Sequence, residues 1–159
     1  HGKFRRQRQM CIRDRNMTKY SKYLIILIIS ILACEKEDQD TNCNYLLNLG
    51  VSVSINMNLP QYSQLKFINN PIYIPNHGNG GLIVIKASEG FYRAWDASDP
   101  NQYPKTCSIL EINGIEAISG CEDNNTYSLI TGQSINMVLP CTLKEYPAAQ
   151  SGNTVIINN

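Results

Sequence analysis

From Val51 to Leu59 apolar and polar residues alternate without a break: Val-Ser-Val-Ser-Ile-Asn-Met-Asn-Leu. A period of two belongs to a strand with one buried face, not to a helix. Pro60 ends the run. Leu65-Lys66-Phe67-Ile68 and Ile72-Tyr73-Ile74 predict two short strands, divided by the turn residues Asn69-Asn70-Pro71. Pro75 to Gly81 reads as a loop. The unbroken apolar run Leu82-Ile83-Val84-Ile85 predicts a strand buried on both faces. Ala87 to Gly90 turns it into Phe91 to Trp95. Ile109 to Ile112 and Ile115 to Ile118 flank Asn113-Gly114, a strong hairpin signal, and a two-residue turn there would pair Ile112 with Ile115. Tyr127 to Ile130, Ser134 to Val138, Leu143 to Tyr146 and Thr154 to Ile157 complete the set. No stretch from Thr41 onward carries a helical stripe. About nine to ten short strands in roughly 115 residues predict an all-β antiparallel sandwich or barrel, one domain over residues 45–159.

The front of the chain has a different character. Met10-Cys11-Ile12-Arg13-Asp14-Arg15 resembles the translation of a transposase mosaic-end adaptor used in sequencing libraries, which marks residues 1–16 as an artefactual extension. Met17 is then the expected natural start. Lys19 and Lys22 precede the apolar run Leu24 to Ala33, too short to span a bilayer comfortably and of the right size for a secretory signal over residues 17–33. Ile31-Leu32-Ala33-Cys34 resembles a bacterial lipobox, which makes Cys34 the expected lipidated first residue of the mature chain and places that chain at the outer membrane of a cell envelope. Residues 34–44 are polar, charged and aperiodic, as a tether would be.

Charge and cysteine chemistry both change once the front is set aside. The whole chain has 14 basic and 13 acidic side chains; residues 1–33 hold eight of the basic ones and one acidic one, so the remainder carries a net charge of −6. Such a chain lacks the basic surface that nucleic-acid binding requires. Cys43, Cys107, Cys121 and Cys141 remain, an even number in an oxidising compartment, and predict two disulfides with three connectivities open.

The order of elements resembles the Rieske iron–sulfur domain. Gly90-Phe91-Tyr92-Arg93-Ala94-Trp95-Asp96 fits that family's approach to its first cluster loop. Asp99-Pro100-Asn101 stands where Cys-Pro-His would be, and Gly120-Cys121-Glu122-Asp123-Asn124 stands near the second Cys-x-x-His. Tyr127 to Gly132 fits the aromatic-to-Thr-Gly segment, Leu143-Lys144-Glu145-Tyr146 fits Leu-x-x-Tyr, and Gly152 to Ile156 fits the last turn and strand. The resemblance runs from about Leu82 to the C-terminus and implies a loop–hairpin–loop tip. It also implies a cluster that this chain has lost. A Rieske [2Fe–2S] centre takes two Cys and two His, yet no histidine follows His77. Asp99, Asn101, Cys121 and Asn124 are therefore degenerate cluster-loop positions, and neither a metal nor a cofactor is expected. A cluster held by cysteines alone would need four thiolates, and Cys43, Cys107, Cys121 and Cys141 lack the close spacing those clusters use. Some Rieske domains tie their two cluster loops with a disulfide. The resemblance thus implies Cys107–Cys121, with a bulge at Gly120 to bring Cys121 into register, and leaves Cys43 for Cys141.

Other chemistry is weaker. Asp96, Asp99, Glu122 and Asp123 could form a Ca²⁺ site or an acid–base pair, but without the ligand spacing of a known Ca²⁺ loop the plainer reading is solvated loop carboxylates. His77 reads as a turn residue, and no Gly-x-Ser-x-Gly accompanies it. Gly78-Asn79-Gly80-Gly81 lacks the Lys-Ser/Thr of a phosphate loop. Tyr92, Trp95 and Tyr103 could make a binding patch; core packing is the plainer role for Trp95 and one tyrosine. The expected function is binding or structural, with an envelope protein or glycan as partner, no catalytic residues and no nucleic acid. The alternatives are a Rieske-type [2Fe–2S] electron carrier and a carboxylate-based enzyme acting on envelope glycans.

Overall fold

The computed structural model describes residues 43–159. The adaptor-like, signal and lipobox residues, with nearly all of the tether, lie outside the described residues. Ten strands form three antiparallel sheets: β1 (Ser52–Asn56), β10 (Thr154–Asn158) and β9 (Ala148–Ser151) in one; β2 (Ile72–Ile74), β3 (Leu82–Ser88), β4 (Phe91–Asp96) and β8 (Glu145–Tyr146) in the second; β5 (Leu110–Asn113), β6 (Glu116–Ser119) and β7 (Thr126–Ser128) in the third. The architecture is all-β.

β3 explains how the three sheets share one domain. Leu82, Ile83, Val84 and Ile85 are all fully buried, but on opposite faces. Leu82 and Val84 join Val51, Ile55, Met57, Val155 and Ile157 in a core against the first sheet. Ile83 and Ile85 join Trp95, Ala97, Leu110, Ala117, Tyr127, Leu129 and Leu143 in a second core against the hairpin sheet. The central sheet is thus covered on both sides, which is why its longest strand reads as a continuous apolar run. β1, covered on one side only, alternates: Val51, Ile55 and Met57 are buried and the intervening Ser and Asn residues are exposed.

Several expectations are corrected. Leu65 to Ile68 is not a strand: Pro60–Lys66 forms a 3-10 helix that starts on Pro60 and drops Leu65 into the first core. Proline sits well at a helix start, where its missing N–H costs nothing. Ser134 to Val138 is a loop, with one isolated bridge between Ser134 and Tyr127. The Ser134 hydroxyl turns that chain by donating to Met137 O and accepting from Leu139 N–H. β9 was not expected, because Ala148 to Ser151 has neither apolar alternation nor β-branched residues; it pairs with β10 through the turn at Gly152.

The hairpin register also differs. Asn113 pairs with Glu116 and Ile112 with Ala117, so the turn residues are Gly114 and Ile115. Gly114 has φ +62° and Ile115 is not in the left-handed region. A II′-type turn needs a positive φ only at its first central position, which Gly114 supplies, whereas the expected turn would require it of Asn113 as well. The bulge expected at Gly120 is absent too. A 3-10 turn at Thr106–Ser108 takes its place and brings Cys107 O within 2.9 Å of Gly120 N–H.

Candidate functional site

The loop–hairpin–loop tip is built outward from the end of β4. Beyond β4 the backbone keeps pairing: Leu110 N–H donates to Ala97 O at 2.7 Å and Asp99 N–H to Ser108 O at 2.8 Å. This pairing carries Asp99 into the space between the central sheet and the hairpin sheet, where it is fully buried. A buried carboxylate must be hydrogen-bonded, and Asp99 is. Its Oδ1 accepts from Tyr127 Oη at 2.5 Å and from Asn101 N–H at 2.9 Å. Its Oδ2 accepts from Asn125 Nδ2 at 2.9 Å. Burial first, and the bond to Asp99 second, push the Tyr127 hydroxyl far above the ordinary phenol pKa. Tyr127 therefore keeps its proton and serves as a fixed hydrogen-bond donor.

Asn101 extends the network. Its Nδ2 donates to Tyr127 Oη at 2.8 Å and to Cys141 O at 2.7 Å, and its Oδ1 accepts from Cys141 N–H at 3.0 Å. The amide holds both backbone groups of Cys141 as a strand neighbour would. Cys141 is bonded to Cys43 (Cα–Cα 5.6 Å) and Cys121 to Cys107 (Cα–Cα 4.9 Å). Asn124 is at the surface in the left-handed region (φ 46°), where its Nδ2 donates to Glu122 O. The two loops are tied once more by Gln102 Nε2 donating to Asp123 Oδ2 at 2.6 Å.

The four carboxylates do not cluster. Asp96 and Asp99 are buried, which corrects their reading as solvated loop residues; Glu122 and Asp123 are exposed. Asp96 belongs to a separate network at the far end of the same segment. It accepts from five donors: Asn79 N–H, Asn79 Nδ2, Gly80 N–H, Ser98 N–H and Tyr146 Oη. Burial, then the bond to Asp96, raises the Tyr146 pKa. The glycine-rich loop is thereby explained. A Cβ at Gly78 would lie 2.6 Å from Asp96 Oδ2, and one at Gly80 would lie 2.3 Å from Ser98 Oγ. The loop packs against a carboxylate of its own chain. His77 lies in this loop, where its carbonyl accepts from Gly81 N–H at 2.9 Å.

Trp95 and Tyr92 are core residues on opposite faces of the central sheet, and Tyr103 is exposed, so they form no patch. Trp95 Nε1 donates to Leu129 O at 2.8 Å. Arg93 lies over the rings of Phe91 and Trp95 at 5.6 and 5.0 Å, 3.6 Å from Glu145. Among the described residues no three His, Cys, Asp or Glu side chains converge as a metal site would require. The open grooves, about 530 Å³ along Gln133 to Leu139 and about 330 Å³ between Tyr73 and Ile109 to Ile112, contain neither buried aspartate.

From the sequence Tyr146 stands only as the tyrosine of Leu-x-x-Tyr and Asn79 only as part of the glycine-rich loop; neither they nor Asn125 are legible as partners of a buried carboxylate. A polar residue flanking an aromatic one carries no periodic signal, and only the approach of distant segments gives it a partner.

No protein-family model and no curated protein matches this sequence. Solved structures similar to it include two nitrite reductase small subunits. One is assigned as an NADH-dependent nitrite reductase small subunit from Mycobacterium tuberculosis: 14% identity, TM-score 0.42, over 70% of this chain and 97% of that one. The other is assigned as a nitrite reductase NADPH small subunit: 19% identity, TM-score 0.40, over 66% of this chain and 97% of that one.

Proposed function

We propose that this is a lipid-anchored envelope protein, lipidated on Cys34, whose Rieske-like domain binds or braces an envelope protein or glycan through a tip that no longer holds a cluster. One observation carries the second half of that reading. Each degenerate cluster position is already committed within the chain. Asp99 is saturated by Tyr127, Asn101 and Asn125; Asn101 clamps Cys141; Cys121 is in a disulfide; Asn124 is turned to the surface on its own loop.

The residues present do not fit a Rieske centre. The donor set at these positions is a carboxylate, two amides and a disulfide sulfur, where two thiolates and two imidazoles are needed. A carboxylate enzyme has no better support. Asp96 and Asp99 are each fully buried and saturated with donors, so neither reaches a substrate proton as a general acid or base must. What the tip retains is shape, held by one disulfide and a charge-assisted network.

The test has two parts, both on the full chain purified aerobically from a Gram-negative host. Mass spectrometry of the N-terminal peptide should find Cys34 carrying a diacylglyceryl group. The protein should be colourless and free of iron. An unmodified Cys34 would remove the anchor from this reading, and a brown protein with about two irons per chain would overturn the loss of the cluster.

A further inference from the structure

The loop between Ser134 and Leu139 presents apolar side chains to solvent at a place where the chain's own linkage limits what can lie opposite. Val138 is completely exposed, Ile135 is 51% exposed and Met137 46%. Three large apolar residues within four positions are unusual for a surface turn without a partner. The turn is held in shape: Ser134 Oγ donates to Met137 O and accepts from Leu139 N–H, and Leu139 packs against the second core. No charged residue occurs from Gln133 to Leu143.

The same corner is where the tether arrives. Cys141, three residues beyond Val138, is bonded to Cys43, and only eight residues separate Cys43 from Cys34. Fully extended, that span reaches about 30 Å. A lipid on Cys34 would therefore hold the domain through Cys43 and Cys141, next along the chain to the Ile135–Val138 turn.

We propose that this turn is a membrane foot: Ile135, Met137 and Val138 enter the interfacial region of the phospholipid bilayer that carries the anchor. The inference rests on the lipoprotein reading. It commits to neutral, zwitterionic lipid as the occupant. The segment Glu35 to Asn42 has four acidic residues and one basic one, and the foot itself has no cation to meet an anionic headgroup. Attachment is thus by apolar insertion and insensitive to salt. It sets the orientation of the domain, turning the foot to the membrane.

Brominated-lipid quenching reads this directly. The full, lipidated chain bearing Val138→Trp is placed in phosphatidylcholine vesicles with or without dibrominated acyl chains. Phe67→Trp, an exposed position at the end of the 3-10 helix against the opposite core, serves as the control, and the native Trp95 gives the baseline. We expect V138W fluorescence to fall about twofold in brominated vesicles, at low and high salt alike, with F67W and the unsubstituted chain unchanged. Quenching of V138W no greater than that of F67W overturns the foot, as does a V138W emission shift that follows self-association at raised protein concentration rather than lipid. Co-sedimentation with the vesicles and the mass of the Cys34 peptide are read on the same sample. An unlipidated, non-sedimenting chain brings down the anchor and the foot with it; a lipidated chain whose V138W is not quenched brings down the foot alone.

Discussion

Removing one hydroxyl from the tip tests whether the Asp99 network holds it shut. Tyr127→Phe keeps the buried ring, so the second core loses no packing. It deletes the donor to Asp99 Oδ1 and the acceptor of one Asn101 Nδ2 hydrogen. Asn101 keeps its bond to Cys141 O, so the loss concentrates on the carboxylate, left with Asn125 and the Asn101 N–H. A hydrogen bond to a buried charged group contributes about 1.5–3 kcal/mol. For a domain of this size that corresponds to a fall in Tm of about 6–12 °C. The control is Tyr92→Phe, the same substitution on a buried tyrosine whose hydroxyl donates only to uncharged acceptors, Met57 Sδ at 3.3 Å and Leu65 O at 3.3 Å. It should cost about 0.5–1 kcal/mol. Urea unfolding of both variants with disulfides intact gives the free energies, and an unchanged slope m shows that the native state stays compact. If Y127F costs no more than Y92F, Asp99 does not depend on that bond and the network is not what closes the tip.

Stability should be flat from neutral pH to about pH 9 and fall steeply above the ordinary tyrosine pKa of about 10. Burial and carboxylate partners raise the pKa values of Tyr127 and Tyr146 in the folded state, so above pH 10 the unfolded chain binds fewer protons than the native one and stability is lost as pH rises, by up to about 1.4 kcal/mol per pH unit for each tyrosine. A urea midpoint series from pH 7 to 12 checks this, and Y127F should shallow the decline. Gly132→Ala should cost about 3 kcal/mol or more, because the new Cβ would lie 2.6 Å from the Trp95 ring at φ +76°; Gly114→Ala, at φ +62° with open space around it, should cost only about 1 kcal/mol, both read from thermal melts. Removing Cys107–Cys121, which closes 14 residues, should cost about 3 kcal/mol, and removing Cys43–Cys141, which closes 98, about 4–5 kcal/mol, measured on paired serine variants.

The parts of the fold that were legible in the sequence were those where one neighbour surface sets a simple period. β1 alternates because one face is covered, and β3 is continuous because both are. Elements whose form depends on distant partners were not legible. Leu65 looks like a strand residue until Pro60 starts a helical turn that buries it. The hairpin register depended on which turn residue takes a positive φ, and Asn113-Gly114 permits more than one answer. At the tip the sequence offers no histidine after His77, so it supplies no imidazole ligand to the loops. It did not show what the loop positions do instead. Asp99 reads as a loop carboxylate, and only the meeting of Tyr127, Asn125 and Asn101 in space makes it a buried keystone.

The central claim is that the tip is closed by its own side chains and has no ligand set for a cluster. Anaerobic reconstitution of the full chain with ferrous iron and sulfide, after complete reduction of both disulfides, tests it most directly, because reduction gives the cysteines every chance to bind. With no histidine beyond His77 and Asp99 held by its three partners, no visible charge-transfer bands and no low-temperature electron-spin signal should appear after desalting. A stable brown species with about two irons per chain would contradict the account.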